Sequence, residues 1–371
     1  MLIGVLKEPS FENRVSLLPE AVATLVKKGI SVSVETNAGA RAFSNDEDYV
    51  KSGAQVATRE EVLSKSDVIL SINAPGAAEI NTIGNKIIIG VYQPLYNATQ
   101  MYDWAKAGIT SFSLDMLPRT TRAQSMDVLS SQANIAGYKA VLLAATTYAR
   151  YFPMLMTAAG SIPPAKVLIL GAGVAGLQAI ATARRLGSIV EVFDTRPAVK
   201  EEVMSLGAKF VEVEGAADAS NAGGYAVEQS ADFLAKQKQK IAESIAKADI
   251  VITTAQIPGK KAPILVTSEM IAQMKKGSLI IDIAAATGGN TELTKNNETI
   301  INNGVTIIGN SALPSMMPSD ASKLYGKNVL NFLQLLTDKQ GNAVLNFDDD
   351  LVKGACITHG NNITNDRVKP I

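Results

Sequence analysis

The sequence has little of the side chains that most often carry enzyme chemistry. Its 371 residues include one cysteine, Cys356, and one histidine, His359. A single cysteine excludes an intramolecular disulfide and a cysteine metal cluster, and it fits a reducing compartment. A single histidine excludes histidine-rich metal sites, and it allows a Ser-His-Asp triad only if this C-terminal residue reaches the site. We interpret Cys356 as a structural or incidental thiol rather than a nucleophile.

Net charge, long apolar runs and a signal peptide are also absent. The 35 basic and 35 acidic residues balance, so we predict no nucleic-acid partner. No uncharged apolar run approaches the length of a membrane span, and the pattern of residues 1–8 is that of a strand. These absences predict a soluble, cytoplasmic chain. Its length predicts two domains.

The most informative stretch joins an apolar strand to a helix through glycines. Residues 167–170 predict a buried parallel strand, and residues 171–176 form a G-x-G-x-x-G turn. An alanine-rich helix then runs to Leu186, where Gly187 ends it. Strand, glycine turn and helix in this order predict a dinucleotide site. The alternative is a glycine turn in another kind of doubly wound sheet.

Each glycine has a separate expected role. Gly171 would permit the tight turn, Gly173 would let a pyrophosphate approach the backbone, and Gly176 would let the helix pack on the strand. The N–H groups at the helix N-terminus, around Val174 and Ala175, would face the anion.

An acidic residue follows the second strand. Residues 189–193 predict that strand, and Asp194 comes 194 − 176 = 18 residues after the last glycine. A carboxylate there accepts the ribose 2′-hydroxyl of NAD and repels a 2′-phosphate, with Thr195 and Arg196 beside it. An arginine near this position can pair with the 2′-phosphate of NADP, but Asp194 favours NAD(H).

The first hundred or so residues alternate strand and helix patterns without a glycine fingerprint, so we expect no nucleotide there. The predicted strands are 1–6, 31–35, 67–72, 86–91 and 109–114; the predicted helices are 19–29, 97–106 and one that a capping box of Thr58 and Glu61 begins.

A polar stretch, 115–131, leads into a helix of about 25 residues that we expect to end at Pro153. We predict that this helix joins the two domains and that the polar stretch lies at the mouth of a cleft between them. The alternative is an ordinary solvated loop and helix cap. In the polar stretch, the side chains that could position a ligand are Arg119, Arg122, Gln124, Asp127 and Ser130.

The nucleotide domain continues with a helix at 197–206 and a strand at 209–213. Residues 214–232 are mostly Ala, Gly, Ser and Asn around Tyr225, and Gly223 and Gly224 would permit hinge motion. A segment this long is usually a lid, a binding loop or an insertion. We favour a mobile lid over an inert insertion.

The remaining strands are predicted at 250–254, 279–283 and 305–309, giving a sheet of about six. Because ligands bind outside the carboxyl ends of such strands, Ala255 and Gln256 should face the nucleotide. A helix at 321–336 should pack on the first domain, and the tail from Asp348 is weakly specified. The predicted fold class is α/β, with two Rossmann-like, doubly wound parallel-sheet domains, 1–130 plus 318–371 and 131–317, joined by the long helix.

Several blocks together resemble one family. The sequence resembles the NAD(H)-binding component of proton-translocating nicotinamide nucleotide transhydrogenase over nearly its whole length, and residues 12–17 also resemble the wider group that includes alanine dehydrogenase. The matching blocks are Arg119 with Arg122 to Gln132, Gly137-Tyr138, Gly171 to Ala179, and Thr253 to Gly259.

This resemblance implies a homodimer that holds NAD(H). NADP(H) would lie on a separate NADP-binding (beta) subunit, hydride would pass directly between the nicotinamides, and a membrane subunit would couple this to proton translocation. The chain would then be peripheral at the cytoplasmic face of the inner membrane, with the membrane part on separate subunits. Direct hydride transfer needs orientation and no protein acid or base, which suits a chain with one histidine.

Residue roles also follow from the resemblance. Arg119 would hold the carboxamide region, and Gln124, Asp127 and Ser130 would orient the ring and its ribose, with Ser125 and Met126 in the same block. Asp194 would hold the adenosine ribose, and Tyr225 with Gly224 would lie on a loop that closes over the nucleotide.

Alanine dehydrogenase uses a lysine and a histidine on its first domain, and this chain departs from that pattern. At the matching places it has Ser71 and the neighbourhood of Tyr92-Gln93. Some transhydrogenase chains keep the lysine, so its absence is a departure there too. We expect a structural role for Arg14. An amino-acid dehydrogenase and an NAD-binding regulatory module remain the alternatives.

Overall fold

The structure is a computed structural model that describes residues 1–213, 215, 230–338 and 340–368. The chain forms two compact units. Unit 1 is Met1–Gln132 with Pro314–Ile371, and unit 2 is Ala133–Leu313. The predicted domain limits, 130 and 317, lie two and four residues from these (132 − 130 and 317 − 313).

The strands, in chain order, are β1 (Leu2–Val5), β2 (Ser31–Glu35), β3 (Gln55–Ala57), β4 (Val68–Leu70), β5 (Ile87–Gly90), β6 (Thr110–Ser113), β7 (Leu155–Thr157), β8 (Gly160–Ile162), β9 (Lys166–Leu170), β10 (Ile189–Phe193), β11 (Lys209–Phe210), β12 (Ile250–Thr253), β13 (Leu279–Asp282), β14 (Glu298–Asn302), β15 (Val305–Gly309), β16 (Cys356–His359) and β17 (Asn362–Ile363).

The α-helices are α1 (Pro19–Val26), α2 (Asp46–Lys51), α3 (Arg59–Lys65), α4 (Ile80–Ile83), α5 (Ala98–Lys106), α6 (Val128–Thr147), α7 (Val174–Arg185), α8 (Lys200–Ser205), α9 (Ala231–Ile245), α10 (Ser268–Ala272), α11 (Pro318–Leu333) and α12 (Asp350–Ala355). The capping box of Thr58 and Glu61 that opens α3 is confirmed: Thr58 Oγ1 accepts from the Glu61 N–H.

The parallel strands of the two large sheets have the same order. In unit 1 the order is β17-β16-β6-β5-β4-β1-β2-β3, and in unit 2 it is β11-β10-β9-β12-β13-β15-β14. Counted from β1 and from β9, and with the antiparallel strands left out, the six parallel strands of each sheet follow the doubly wound order 3-2-1-4-5-6. The order reverses between β1 and β4 in unit 1 and between β9 and β12 in unit 2, and ligands bind at such switch points.

Antiparallel strands extend both sheets, which sequence reasoning missed. β14 pairs antiparallel with β15, so the unit 2 sheet has seven strands rather than about six. The C-terminal segment forms α12 and two strands, with β16 antiparallel to β6. The interpretation of this tail as weakly specified was therefore wrong. Its order comes from pairing with a strand about 250 residues earlier, which no local pattern reveals.

Two helices also differ from prediction. Helix α6 has 20 residues and ends at Thr147, short of Pro153. There Tyr148 and Phe152 turn into the unit 2 core, where their rings meet edge to face at 6.3 Å. Helix α9 starts at Ala231 under a Ser230 cap, so the Ala/Gly segment ends earlier than predicted.

The cores lie on both faces of each sheet. The central strands of unit 2 are buried nearly throughout, as expected for parallel strands covered by helices on both sides. Helices α6 and α7 approach closely at Gly137, where an added Cβ would lie 2.0 Å from the Ala175 carbonyl oxygen. In the described ranges, no helix combines the length and apolarity that a membrane crossing requires.

Arg59 holds three elements of unit 1 together, and this predicts a pH dependence of stability. Its guanidinium donates to Glu35 Oε2 at 2.8 Å, to the Lys7 carbonyl at 3.1 Å and to both carboxylate oxygens of Glu79. The hydrogen bonds from Arg59 hold the pKa of Glu79 below its ordinary value of 4.5, against the opposing effect of burial.

Because the folded-state pKa of Glu79 is the lower one, its stabilising contribution is complete above about pH 4.5 and is lost as the pH falls through the folded value. At pH 7 we expect the free energy of unfolding of the wild type to be larger than that of Glu79→Gln. This difference between the two proteins should become smaller as the pH is lowered towards 3. Urea unfolding of both proteins across that range measures it. A difference independent of pH would contradict the prediction.

Candidate functional site

The glycine turn of unit 2 follows β9 and opens α7. Gly171 has φ +105°, a left-handed conformation that favours glycine. A Cβ on Gly176 would lie 1.9 Å from the Gly171 carbonyl oxygen, so only glycine lets the first turn of α7 pack on this loop. Gly171 thus has the backbone conformation of the predicted tight turn, while Gly176 makes its close approach to the Gly171 carbonyl in that turn.

Gly173 is different because it faces open space. Among the described residues, a Cβ placed on it would have no heavy atom within 4 Å, and its φ of −77° is open to any residue. It caps α7, and no side chain of the described residues makes a cap hydrogen bond there; first-turn N–H groups such as those around Val174 and Ala175 favour anions. Val174 is 40% exposed at this end of the helix.

Asp194 follows β10 beside this turn. Its Oδ2 accepts from the Ala172 N–H at 2.7 Å and from Arg196 Nη2 at 2.7 Å, and its Oδ1 accepts from the backbone N–H and Nε of Arg196 at 2.8 and 2.9 Å. The carboxylate therefore braces the glycine turn as well as pairing with Arg196. The hydrogen bonds and charge of Asp194 raise the pKa of Arg196, so the guanidinium stays charged. Thr195 is half-buried between the two.

The loop after β12 carries Ala255 and Gln256 and is held by a residue that sequence reasoning missed. Asn290 is fully buried; its side chain accepts from the Ala255 N–H at 3.0 Å and donates to the carbonyls of Ala255 and Pro263 at 2.9 and 2.8 Å. Asp282 in turn accepts from the Asn290 N–H at 2.7 Å. The available signal was the Gly288-Gly289-Asn290 run after β13, since a polar residue behind two glycines favours a specific loop role.

This clamp leaves Gln256 at the surface. Its side chain is exposed and donates to the Ile283 carbonyl at 3.4 Å, and Thr254 Oγ1 donates to the Gly171 carbonyl at 3.1 Å. The glycine turn and the β12 loop therefore meet at the switch point of the unit 2 sheet. The structure brings the predicted site residues of this unit together there: Gly171, Gly173, Val174, Ala175, Gly176, Asp194, Thr195, Arg196, Ala255 and Gln256.

The other predicted site residues lie in unit 1 or outside the described ranges. Arg119 is exposed before a 3-10 segment, Thr121–Met126, that contains Gln124 and Ser125, also exposed. Met126 is 7% exposed and packs in the unit 1 core, so its side chain serves packing. Gly224 and Tyr225 fall in 216–229, outside the part of the chain that the structure describes.

Asp127 and Ser130 pair with each other at the start of α6. Asp127 Oδ1 accepts from the Ser130 N–H at 2.9 Å and its Oδ2 accepts from the Ser130 hydroxyl at 2.5 Å. The Asn328 and Asn331 amides donate to the Ser125 carbonyl at 2.9 and 3.0 Å. The backbone of the polar segment is therefore fixed while the side chain of Gln124 points outward.

Two protein-family models match this chain, and their ranges correspond closely to the two units. Residues 4–136 match the family model "Alanine dehydrogenase/PNT, N-terminal domain", and residues 140–366 match "Alanine dehydrogenase/PNT, C-terminal domain". The chain belongs to the alanine dehydrogenase/PNT family. The expected resemblance and the α/β class with Rossmann-like parallel sheets are confirmed.

Within this family the chain is more similar to transhydrogenase chains than to alanine dehydrogenase. It is 46% identical over 373 residues to an NAD(P) transhydrogenase subunit alpha chain of Rickettsia prowazekii, covering 98% of this chain and 96% of that one. The structure of transhydrogenase from Sinorhizobium meliloti is 44% identical with a TM-score of 0.89, covering 98% and 100%. An L-alanine dehydrogenase structure is 26% identical with a TM-score of 0.82, covering 99% and 98%.

In this alanine dehydrogenase/PNT chain, the switch point of unit 1 is filled by a side chain. Glu8 is 4% exposed, and it accepts from the backbone N–H groups of Ile72 and Asn73 at 2.5 and 3.0 Å and from the Asn73 amide at 3.0 Å. Burial raises its pKa, against these hydrogen bonds. Beside it, Ser71 Oγ and Tyr92 Oη lie 3.1 Å apart and are buried. Ser71 and Tyr92 thus form a closed, neutral polar pair.

Arg14 is fully engaged within unit 1. Its Nε and Nη2 donate to the two Glu12 carboxylate oxygens at 2.9 and 2.6 Å, and its Nη1 donates to Gln132 Oε1 at 2.8 Å. Burial alone would raise the pKa of Glu12, but the hydrogen bonds and charge of Arg14 outweigh burial and lower it. The side chain ties the loop after β1 to the start of α6.

Proposed function

We propose that this chain is the NAD(H)-binding subunit of a proton-translocating transhydrogenase. In this proposal hydride passes directly between NAD(H) on this chain and NADP(H) on a partner beta subunit, and separate membrane subunits couple the transfer to proton translocation. The observation that carries the proposal is a glycine turn with room at Gly173 and an acid at Asp194, in a chain 46% identical to a transhydrogenase alpha subunit.

The residues present fit a dinucleotide at the unit 2 switch point. The space at Gly173 and the first-turn N–H groups of α7 would hold the pyrophosphate, and Asp194 would accept a hydroxyl of the adenosine ribose. The loop that Asn290 clamps would line the same nucleotide through Ala255 and Gln256. NAD(H) would supply the hydride acceptor or donor.

For the nicotinamide end we propose the polar segment of unit 1. Arg119 would hold the carboxamide region, and Gln124, Asp127 and Ser130 would orient the ring and its ribose. Support comes from the fixed backbone of this segment and from the hydrogen-bonded pair of Asp127 and Ser130 beside it. Orientation of this kind can supply roughly 7–11 kcal/mol of a barrier without a protein acid or base.

A homodimer is part of the proposal. Strands β7 and β8 form a two-stranded sheet of their own, and Tyr151, Met154 and Met156 beside and within it are 52%, 61% and 73% exposed. An isolated hairpin is marginally stable in water, and clustered exposed apolar side chains favour an interface. We propose that a second copy covers this hairpin, and that the beta and membrane subunits place the complex at the cytoplasmic face of a membrane.

The second candidate is an amino-acid dehydrogenase, which the similarity to L-alanine dehydrogenase supports. The closed pair of Ser71 and Tyr92 speaks against it because neither group is a cation or titrates near neutral pH. Burial raises the pKa of Tyr92 far above its ordinary value of 10.0.

One assay separates these functions. We expect the purified chain to catalyse hydride exchange from NADPH to an NAD analogue only when a soluble NADP-binding component of a related transhydrogenase is added. Pyruvate reduction with ammonia by the chain alone would support the dehydrogenase instead. The proposal would be contradicted if the chain binds NADH and the added component binds NADPH, but no hydride exchange occurs when the two are mixed.

A further inference from the structure

We infer that Asp194 selects NAD(H) over NADP(H) by holding Arg196, and that Arg196 is a latent ligand for a 2′-phosphate. This inference rests on the proposed function, because it concerns the adenosine end of the same nucleotide site. It goes beyond charge repulsion by Asp194, the ordinary reason why an acid at this position disfavours NADP(H). It assigns the selectivity to a pair of residues.

The geometry of the pair carries the inference. Nε and Nη2 form one edge of the Arg196 guanidinium, and each donates to a different oxygen of Asp194, at 2.9 and 2.7 Å. A guanidinium binds phosphate through the same planar, two-donor geometry. One of the two-donor edges with which Arg196 could bind a 2′-phosphate is therefore occupied by a carboxylate of this chain. The two side chains are 17% and 6% exposed, so solvent screens the pair little.

The pair is also held in place by the backbone. The Arg196 N–H donates to Asp194 Oδ1 at 2.8 Å, and the Ala172 N–H in the glycine turn donates to Oδ2 at 2.7 Å. Asp194 is thus fixed at the glycine turn, and Arg196 is fixed on Asp194. An ionised carboxylate has about four acceptor positions, and these four donors match that number. A ribose hydroxyl must replace one of the donors, whereas a 2′-phosphate would have to separate the two charges.

Two accounts of selectivity then make different predictions. If Asp194 acts only by repelling phosphate, neutralising it should improve NADPH binding whether or not residue 196 is an arginine. If Asp194 acts by holding Arg196, the improvement should require that arginine. The comparison therefore needs the single and the double substitution.

The experiment measures dissociation constants of NADH and NADPH by calorimetry for the full chain. The variants are Asp194→Asn, Asp194→Ser, Arg196→Gln and the double variant Asp194→Asn with Arg196→Gln. We expect either Asp194 substitution to strengthen NADPH binding roughly 10- to 100-fold, and the double variant to lose most of that gain. Arg196→Gln alone should gain nothing for NADPH. Glu212→Gln is the charge control, because Glu212 pairs with Lys200 at 2.6 Å on the exposed surface of the same unit.

The outcomes separate this inference from the proposed function. A gain of equal size in the single and double variants, or no gain in any variant while NADH still binds the wild type, would overturn the inference alone. Failure of the wild type to bind NADH would overturn the proposed function. Thermal melts identify a misfolded variant. Two different Asp194 substitutions are used so that at least one is expected to fold, since Asn keeps an acceptor for the Ala172 N–H.

Discussion

Replacing Gly173 with alanine is expected to leave the fold intact and to weaken NADH binding roughly 100-fold, whereas Gly176→Ala should damage the fold itself. The two glycines belong to one turn and differ in what surrounds them. A Cβ on Gly173 enters open space, and one on Gly176 would lie 1.9 Å from the Gly171 carbonyl oxygen and 2.9 Å from its carbon. The same substitution therefore probes the ligand at one position and the packing at the other.

The magnitudes follow from the surroundings. At Gly173 the added methyl group takes the space through which a pyrophosphate would reach the N–H groups of α7, so several charge-assisted hydrogen bonds lengthen together. At Gly176 the opposing atoms are backbone, which cannot move aside as a side chain can. Alanine gains about 1 kcal/mol in helix propensity over glycine, but overpacking here costs about 3 kcal/mol or more.

Thermal melts and NADH titrations of both variants test this. We expect the melting temperature of Gly173→Ala to stay close to wild type and that of Gly176→Ala to fall by roughly 5–10 °C. The two variants serve as each other's control, because each adds one methyl group to the same turn. If Gly173→Ala bound NADH as tightly as the wild type, the assignment of the pyrophosphate to this turn would be wrong.

Shortening Gln124 is expected to slow hydride transfer roughly 100-fold while leaving NADH affinity within a few-fold of wild type. The backbone around it is fixed, because Asn328 and Asn331 bind the Ser125 carbonyl and because Ala123 and Met126 are buried in the unit 1 core. Gln124→Asn therefore retracts the amide by one methylene without moving the segment. A displacement of about 1 Å in an orienting group can cost about 100-fold in rate.

Single-turnover hydride transfer with a soluble NADP-binding component, and NADH titration of the chain alone, separate the two effects. Gln55→Asn provides the matched control, since Gln55 is exposed on β3, the edge strand of the same unit. A loss of NADH affinity with a normal transfer rate at saturation would assign Gln124 to binding and would contradict its orienting role.

The elements that were predicted correctly depend on short stretches of chain. The strands 189–193 and 305–309 have the predicted limits because short, mainly apolar runs rich in Val and Ile and bounded by turn residues mark strands. The capping box at Thr58 and the positive φ of Gly171 are likewise set by a few neighbouring residues. Helix α6 was overestimated because Pro153 only limits how far a helix can run, and the turn of Tyr148 into the core ends it earlier.

What the sequence by itself determined is the α/β class, the glycine turn and the acid at position 194, because each follows from local conformation and periodicity. Only the tertiary structure decided how those residues are used. Asn290 holds a loop 35 residues earlier in the chain. Glu8 fills the unit 1 switch point by accepting from Ile72 and Asn73, which come 64 and 65 residues later. The orientation of Asp194 towards Arg196 also depends on the Ala172 N–H, 22 residues earlier. Such contacts are fixed by strand order and register, which bring distant segments together and leave no periodic pattern in the sequence.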